Sequence, residues 1–290
     1  MPARPLKDWI TDLPSSPGVY LFCRGDSDKA PVYIGKSIHI KKRALDHWYR
    51  SSSEHKEKRI IESAQSVHCI RTAGDIGAQL LEASLIKKHR PIFNRRLRKY
   101  RQVCTIRLQE GAQGYPRVCF SQQPPLHQID DAGAYGFFRS PREATQLIRT
   151  LAAKHSLCLK TLGIEKISSP CFNYHLKKCY GACINEESAT EHNQRLKDAL
   201  QLYRHQLWPY EGPIALIEGE GTDCQQAHIL WQWHYIQSVD YDQIHSGIQN
   251  VTLTPSAQID IDHYKILNRC LEHPPANIRI LEIQQPSLAT

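Results

Sequence analysis

No stretch of the sequence comes near the ~18–20 consecutive apolar residues that a membrane-spanning helix needs. The opening residues, MPARPLKDWITDLP, carry no apolar segment of the export-signal type. Both absences argue against a membrane protein or a secreted one, and the cytoplasm is the expected compartment. Internal repeats and low-complexity tracts are also missing, which argues against a solenoid. Acidic residues are absent from one window. Between Lys87 and Arg101 lie Lys87, Lys88, Arg90, Arg95, Arg96, Arg98, Lys99 and Arg101, eight positive charges with no Asp or Glu. The formal net charge of the chain is +8, so the remainder is balanced. A basic run alone is commonly a solvated surface. A second run, Lys36, Lys41, Lys42 and Arg43, lies close to candidate catalytic residues, and the pair points to a polyanionic partner such as nucleic acid.

What is present fits a globular protein of one large domain or two to three small ones: 290 residues, 41% hydrophobic and 23% charged. The ten cysteines are not expected to form disulfides in a reducing compartment. Cys23, Cys69, Cys104, Cys119, Cys224 and Cys270 are scattered and read as small buried hydrophobes. Cys158, Cys171, Cys179 and Cys183 cluster, and thiolate chemistry is expected there.

Residues 18–22 (GVYLF) and 31–35 (PVYIG) are β-rich runs around a turn-forming stretch and predict a hairpin. From Ser37 to Arg50 the apolar spacing is helical, with Ser37 as the expected cap. A strand is predicted at 67–70 and a helix at 78–89, stopped by Pro91. Further strands are predicted at 103–108 and 115–120, a loop at 124–136, and helices at 142–158 and 188–207 around the cysteines. Beyond Trp208-Pro209 the texture is β-rich again, with a helix near 262–271. In the segment AHILWQWHYI, Trp231, Trp233 and Tyr235 alternate with polar residues, as in a core strand or an exposed docking face.

The predicted hairpin sets Tyr20 and Tyr33 on the faces opposite the aliphatic residues, where both can reach one site. Two strand tyrosines are ordinarily core aromatics, so they decide nothing alone. Glu82 adds the stronger signal. Its helical neighbours Ala78, Leu85 and Ile86 are apolar, and a carboxylate on such a stripe needs a cation partner. That partner is either a structural salt bridge, for instance to Arg43, or a hard divalent cation with oxygen ligands. Arg43 and His47 share one face of the preceding helix, and Arg43 is suited to bidentate phosphate binding. Lys36 stands where the second strand enters that helix.

In order and spacing, GVY at 18–20, YIG-K at 33–36, Arg43, Glu82 and Asn94 resemble the GIY-YIG nuclease pattern. With LLEASLIKKHRPIFN, then YGFFRSPREATQLIRTLAAKHSLC and PCFNYHLKKCYGAC, the likeness extends to about residue 207. The sequence is similar to the N-terminal half of the UvrC repair nucleases, and closer still to their short homologues. Over its extent the resemblance implies an α+β fold, with a GIY-YIG domain (1–100) of a small central sheet flanked by helices and a linker-strand and cysteine module (101–207); the β-rich texture beyond marks a small C-terminal α/β region of unknown role (208–290).

It also implies single-metal phosphodiester hydrolysis. Glu82 would hold Mg²⁺ or Mn²⁺, Tyr33 would be the general base, and Tyr20 would hydrogen-bond in the site or exchange roles with it. Lys36, Arg43 and the metal would favour the phenolate, since a free tyrosine has a pKa near 10. Arg43 would also stabilise charge on the phosphate. Asn94 would orient the backbone or a phosphate. His47 stands where UvrC-type sequences often have tyrosine, so it either assists proton transfer or only hydrogen-bonds. Lys41, Lys42, Arg95, Arg96, Arg98, Lys99 and Arg101 are the expected DNA-binding residues.

Spacings of twelve, seven and three residues separate Cys158, Cys171, Cys179 and Cys183, and the last pair reads as a turn entering a helix. Four thiolates suit either zinc or an iron–sulfur cluster; the resemblance implies [4Fe–4S], with zinc as the alternative. The implied function is the 3′ incision of nucleotide excision repair, on damaged double-stranded DNA delivered by UvrB, by a monomer. The chain ends before the second nuclease of UvrC, so a 5′ incision is not expected. Two alternatives stay open: a GIY-YIG endonuclease of another pathway, or a non-catalytic damaged-DNA adaptor. The first needs elements that read base edges, and no helix-turn-helix or zinc-finger spacing is evident.

Overall fold

The computed structural model describes residues 5–25, 28, 30–95, 104–122, 134–167, 170–204, 208–243 and 260–283. Among these are helices and three antiparallel sheets, an α+β architecture. By contact density the chain forms two compact units. One joins Met1–Tyr100 with Tyr210–Ser256 and Asp262–Thr290; the other holds Arg101–Pro209 and Ala257–Ile261.

In the first unit, α1 (Leu6–Thr11) precedes the hairpin of β1 (Gly18–Cys23) and β2 (Pro31–Ser37). Then come α2 (Ile40–Arg50), α3 (His55–Ser63), β3 (Ser66–Arg71) and α4 (Asp75–His89). The strand order is β2-β1-β3, so every residue of β1 is buried, as a central strand covered on both faces must be. Tyr20 and Phe22 pack with Ile40, Ala44 and Ile60 of α2 and α3, while Val19, Leu21 and Ile34 pack with Ile86, Leu81 and Leu85 of α4.

The expected cap at Ser37 is not found. Ser37 ends β2 and its Oγ accepts the His39 N–H at 2.9 Å, whereas α2 begins after His39 without a side-chain cap. Strand pairing of Gly18 with Ser37 holds that residue extended. The α4 helix starts three residues before the predicted 78, because its first N–H groups find a remote acceptor.

That acceptor is Glu218, at the end of β7 (Ile214–Glu218). Its carboxylate accepts from Ile76 N (3.0 Å) and Gly77 N (2.9 Å), satisfying donors that a helix start leaves open. Gly77 leaves room for this contact: a Cβ there would stand 2.7 Å from His228 Cε1. β7 belongs to the sheet β10-β7-β8-β9, with β8 (Gln226–Trp231), β9 (His234–Asp240) and β10 (Ile278–Glu282), and α8 (Ile261–Glu272) precedes β10. Further along α4, His263 Nε2 lies 3.2 Å from the Leu80 carbonyl, and the buried Lys87 pairs with Asp262 at 3.0 Å. The C-terminal region thus grips the helix that carries Glu82 at three points.

The segment 227–236 is a hairpin rather than one strand. Gln232 and Trp233 form its turn with φ of 48° and 66°, a left-handed pair that matches strand twist. Trp233 is only 1% exposed, its ring 5.2 Å from that of Tyr264. Burial of the indole offsets the strain of a bulky residue in that conformation.

In the second unit, β4 (Cys104–Glu110), β5 (Pro116–Gln122) and β6 (Ala134–Phe138) form a sheet of order β5-β4-β6. The end of the predicted loop at 124–136 is therefore strand, recruited by pairing with β4; residues 123–133 lie outside the described residues. Helix α5 (Pro141–His155) has Pro141 at its first turn and a Ser140 cap. After the short α6 (Phe172–His175), α7 (Ala189–Leu200) opens with a Ser188–Glu191 capping box. A single helix over 188–207 is not formed, since α7 gives way to a 3-10 turn at Gln201–Tyr203.

Candidate active site

Four elements of the first unit converge. β1 supplies Tyr20, β2 supplies Tyr33 and Lys36, α2 supplies Arg43 and His47, and α4 supplies Glu82. Tyr20 stands opposite Gly35 in the β1–β2 register. A Cβ at Gly35 would fall on the Tyr20 hydroxyl and Cζ, so the glycine of YIG is what lets the ring cross β2. The Tyr20 hydroxyl lies 2.8 Å from His47 Nε2, and His47 Nδ1 lies 2.5 Å from Glu57 Oε2. The Tyr33 ring is 5.1 Å from His47 and 6.3 Å from Tyr20, centroid to centroid. Asn94 holds the β2 edge as a neighbouring strand would: its Oδ1 accepts from Ile34 N at 2.9 Å and its Nδ2 donates to Ile34 O at 2.7 Å.

The electrostatics follow from crowding these groups at low solvation. Burial pushes the Glu82 carboxyl up to about 7, against the pull of the Lys36 ammonium and backbone N–H, and Asp75 raises it further. Burial lifts the Tyr20 phenol well above its usual value, with Tyr33 adding and Arg43 opposing. Burial and Glu82 raise Tyr33, while Arg43 and a hydrogen bond from Tyr20 pull it down. His47 is lowered by burial, against Glu57. Lys36 pairs with Asp75 at 2.7 Å, and Arg43 is 4.0 Å from Asp46. A desolvated carboxylate with a second carboxylate near it is an oxygen donor set that suits a hard divalent cation, whose charge would offset the desolvation that holds Glu82 near neutrality.

Of the expected DNA-binding residues, Lys41 is half-buried, while Lys42 and Arg95 are exposed; Arg96, Arg98, Lys99 and Arg101 lie outside the described residues. A pocket of about 630 Å³ beside the site is lined by Tyr33, His55, Lys56, Arg59, Phe93, Asn94 and Arg95. Lys56 Nζ sits 5.8 Å over the Tyr33 ring and Arg59 5.5 Å over Phe93, so this pocket is basic and aromatic together. Sequence reasoning missed α3 and with it Lys56, Arg59 and Glu57. The spacing of Glu57 from Ile60 and Ile61 was the available signal, a carboxylate on the apolar side of a helix.

In the second unit, the Sγ atoms of Cys158, Cys171 and Cys183 lie within 4.8 Å of one another. Cys158 Sγ is 3.7 Å and Cys179 Sγ 3.3 Å from Cys171 Sγ. Burial pushes Cys171 up to about 12 and Cys183 up to about 11. Cys158 is raised by burial but carried below the ordinary thiol value by the Thr161 and Lys160 backbone N–H groups. Soft thiol donors converging on one point fit a thiophilic metal centre. Between the last two cysteines Gly181 (φ 81°) turns the chain into a short 3-10 segment, Ala182–Ile184, rather than a full helix.

Three family models match consecutive parts of the chain: a UvrC-like GIY-YIG domain over residues 16–95, the UvrC/Cho excinuclease middle domain over 103–202, and the excinuclease Cho C-terminal domain over 213–287. Excinuclease cho of Escherichia coli strain K12 is 37% identical over 285 residues, covering 96% of this chain and 89% of that protein. The Salmonella typhi excinuclease cho is 37% identical over 268 residues, 90% and 85% of the two chains. The UvrABC system protein C of Fervidobacterium nodosum is 28% identical over 189 residues, 65% of this chain and 32% of that protein. Among solved structures, the magnesium-bound GIY-YIG N-terminal endonuclease domain of UvrC from Thermotoga maritima is 34% identical; it covers 31% of this chain and 94% of that one, with a TM-score of 0.28.

Proposed function

This chain belongs to the UvrC-type excinucleases, in their Cho branch, and we propose that it makes the 3′ incision beside a lesion in UvrB-bound DNA, as a cytoplasmic monomer. The observation that carries the reading is the convergence of Glu82 with Tyr20, Tyr33 and Arg43 around one desolvated site. Mg²⁺ or Mn²⁺ held at Glu82 would supply Lewis-acid stabilisation of charge on the phosphate oxygens. Tyr33, less buried than Tyr20, takes the proton of the attacking water at its phenolic oxygen. Arg43, which already bears on both tyrosines, grips the scissile phosphate through its planar fork. Lys36, steadied by Asp75, pulls Glu82 toward its carboxylate form against the burial that raises it. Asn94 fixes the β2 backbone on which Tyr33 and Lys36 stand. The basic pocket at Lys56, Arg59 and Arg95, with Lys41, Lys42 and the run Arg96, Arg98, Lys99 and Arg101, neutralises flanking phosphates.

The four cysteines hold a centre that folds the second unit. By family likeness it is [4Fe–4S]. A second reading, zinc, has its own support: the 3.3 and 3.7 Å sulfur separations lie near the about 3.8 Å edge of a tetrahedron with Zn–S of about 2.3 Å. Metal analysis with a visible spectrum separates them: brown colour and about four irons per chain support the first, one colourless zinc the second.

The incision itself is tested on a duplex carrying one bulky lesion, labelled at both ends, with and without UvrB. A single cut on the 3′ side that depends on UvrB is the expected result. Equal cutting of undamaged duplex without UvrB would move the protein to another pathway; binding without cutting would make it an adaptor.

A further inference from the structure

We propose that the cavity between Tyr33 and Phe93 holds the base of one unpaired nucleotide beside the scissile phosphate, so that the strand must be open where it is cut. The inference rests on the nuclease reading above and goes beyond it. Neutralising flanking phosphates needs only the basic rim of this cavity, whereas a base uses its floor.

The floor is held in place. The Phe93 N–H donates to the Val32 carbonyl at 3.1 Å, and the half-buried rings of Phe93 and Tyr33 pack against the core that contains Tyr20, Phe22 and Ile60. Asn94 ties the same segment to β2 through both polar atoms of its amide. Two aromatic rings set in such a frame, lining a concavity of about 630 Å³, suit a flat apolar ligand. A phosphate gains nothing from the rings and would lose solvation against them.

The rim has the opposite character. His55, Lys56, Arg59 and Arg95 are exposed around it, and among the described residues the lining includes no Asp or Glu. Lys56 Nζ stands 5.8 Å from the centre of the Tyr33 ring and Arg59 Cζ 5.5 Å from that of Phe93, close to the about 6 Å limit of a cation–π contact. Exposed contacts at that range are weak and base stacking is stronger, so an arriving base takes the ring face and leaves the cations to its own phosphates. A flat uncharged ring with an anion on either side is a nucleotide within a strand.

Tyr33 belongs both to this cavity and to the nuclease site, which places the bound base on a nucleotide adjoining the cut. A base paired within a duplex is stacked on both faces and has none to offer, so the nucleotide must be unpaired first. Asn94 lines the cavity, but its amide is spent on the Ile34 backbone. Stacking rather than edge reading therefore sets the affinity, and all four bases are accepted.

Two measurements on the full chain test the cavity. In the first, fluorescence anisotropy without divalent metal compares a duplex bearing a bulge of thymidines with the same duplex bearing abasic residues in the bulge. The phosphates are identical and only the bases differ. The unaltered protein should bind the thymidine bulge about 5- to 100-fold more tightly. Phe93→Leu should bring that ratio below about twofold with abasic affinity unchanged, which also reports that the variant is folded, and Phe93→Tyr should keep the ratio. Lys56→Gln with Arg59→Gln should weaken both probes alike. The second measurement needs no variant: single-turnover nicking of preformed UvrB–lesion duplex complexes, with one abasic residue moved along the cut strand. Cutting should slow by about 5- to 100-fold at one position adjoining the cut. A ratio near one for the unaltered protein, a ratio untouched by Phe93→Leu, or equal cutting at every abasic position would overturn the proposal while leaving the nuclease intact. Absence of cutting on intact lesion duplex, with discrimination between the two bulges retained, would instead strike the nuclease reading itself.

Discussion

Replacing Glu218 by alanine should both destabilise the first unit and weaken cleavage, although the residue lies far along the chain from Glu82. Its carboxylate accepts from Ile76 N at 3.0 Å and Gly77 N at 2.9 Å, and meets His228 Nε2 at 3.1 Å; His228 in turn contacts Ser238 Oγ at 2.7 Å. Glu218 is 1% exposed and His228 fully buried, so the abandoned donors would find no water. Hydrogen bonds to a charged group contribute roughly 1.5–3 kcal/mol each. The three contacts share one carboxylate and do not add in full, so its removal should cost about 3–5 kcal/mol. At roughly 2–4 °C per kcal/mol for a unit of this size, the melting temperature should fall by about 6–20 °C. Glu218→Gln, which keeps one acceptor but sets an amide N–H against a helix N–H, should fall between. Scanning calorimetry of the metal-free full chain gives the comparison, with nicking rates measured well below the transition. A shift under about 2 °C for Glu218→Ala would refute the idea that this carboxylate anchors the start of α4.

Three further outcomes concern Glu82 and the basic run. Because burial holds the Glu82 carboxyl at about 7 in the metal-free protein, a divalent cation must displace its proton below that pH; the apparent Kd for Mn²⁺, read by EPR titration, should weaken about tenfold per unit below about pH 7 and level off above it. The same raised value means that the metal-free fold binds this proton more tightly than the unfolded chain does. Its contribution to stability is full below about 4.5 and is lost as pH rises through about 7. Replacing Arg95, Arg96 and Arg98 together should flatten the dependence of log K on log salt by about 2.7, at 0.9 per phosphate contact, as measured by fluorescence anisotropy on duplex DNA. An unchanged slope would place that run in solvent.

The nuclease core was legible because its signals are local or tightly spaced: Tyr20 and Tyr33 on paired strands, Arg43 and His47 one helical turn apart, and Glu82 on an apolar stripe. What stayed hidden depends on contacts distant in sequence or on backbone choices that side chains only settle in three dimensions. Glu57 lies in the charge-rich stretch SSSEHKEKRIIES, where its spacing from Ile60 and Ile61 is a faint mark of burial that becomes decisive only when α3 packs against α2. Glu218 ends a five-residue buried strand, and its helix partner lies 141 and 142 positions away. Trp233 resembled one tooth of an alternating strand, yet burial of its ring against Tyr264 outweighs a left-handed backbone and makes a turn of Gln232–Trp233. The first and last regions of the chain pack as one unit for the same reason: β7 and α8 meet α4 through Glu218, Asp262 and His263.

The central claim is that Glu82 is the metal-binding carboxylate of a DNA-cutting site, and Glu82→Gln tests it most directly. Gln keeps the shape of the side chain and a neutral oxygen, and it removes the uncompensated charge that makes this stripe costly to bury, so folding should be preserved. Nicking of lesion duplex with UvrB, followed across a Mn²⁺ titration, should then fall by at least about 100-fold, with Mn²⁺ binding lost in parallel and DNA binding retained. Unchanged cleavage with unchanged Mn²⁺ affinity in Glu82→Gln would contradict the account.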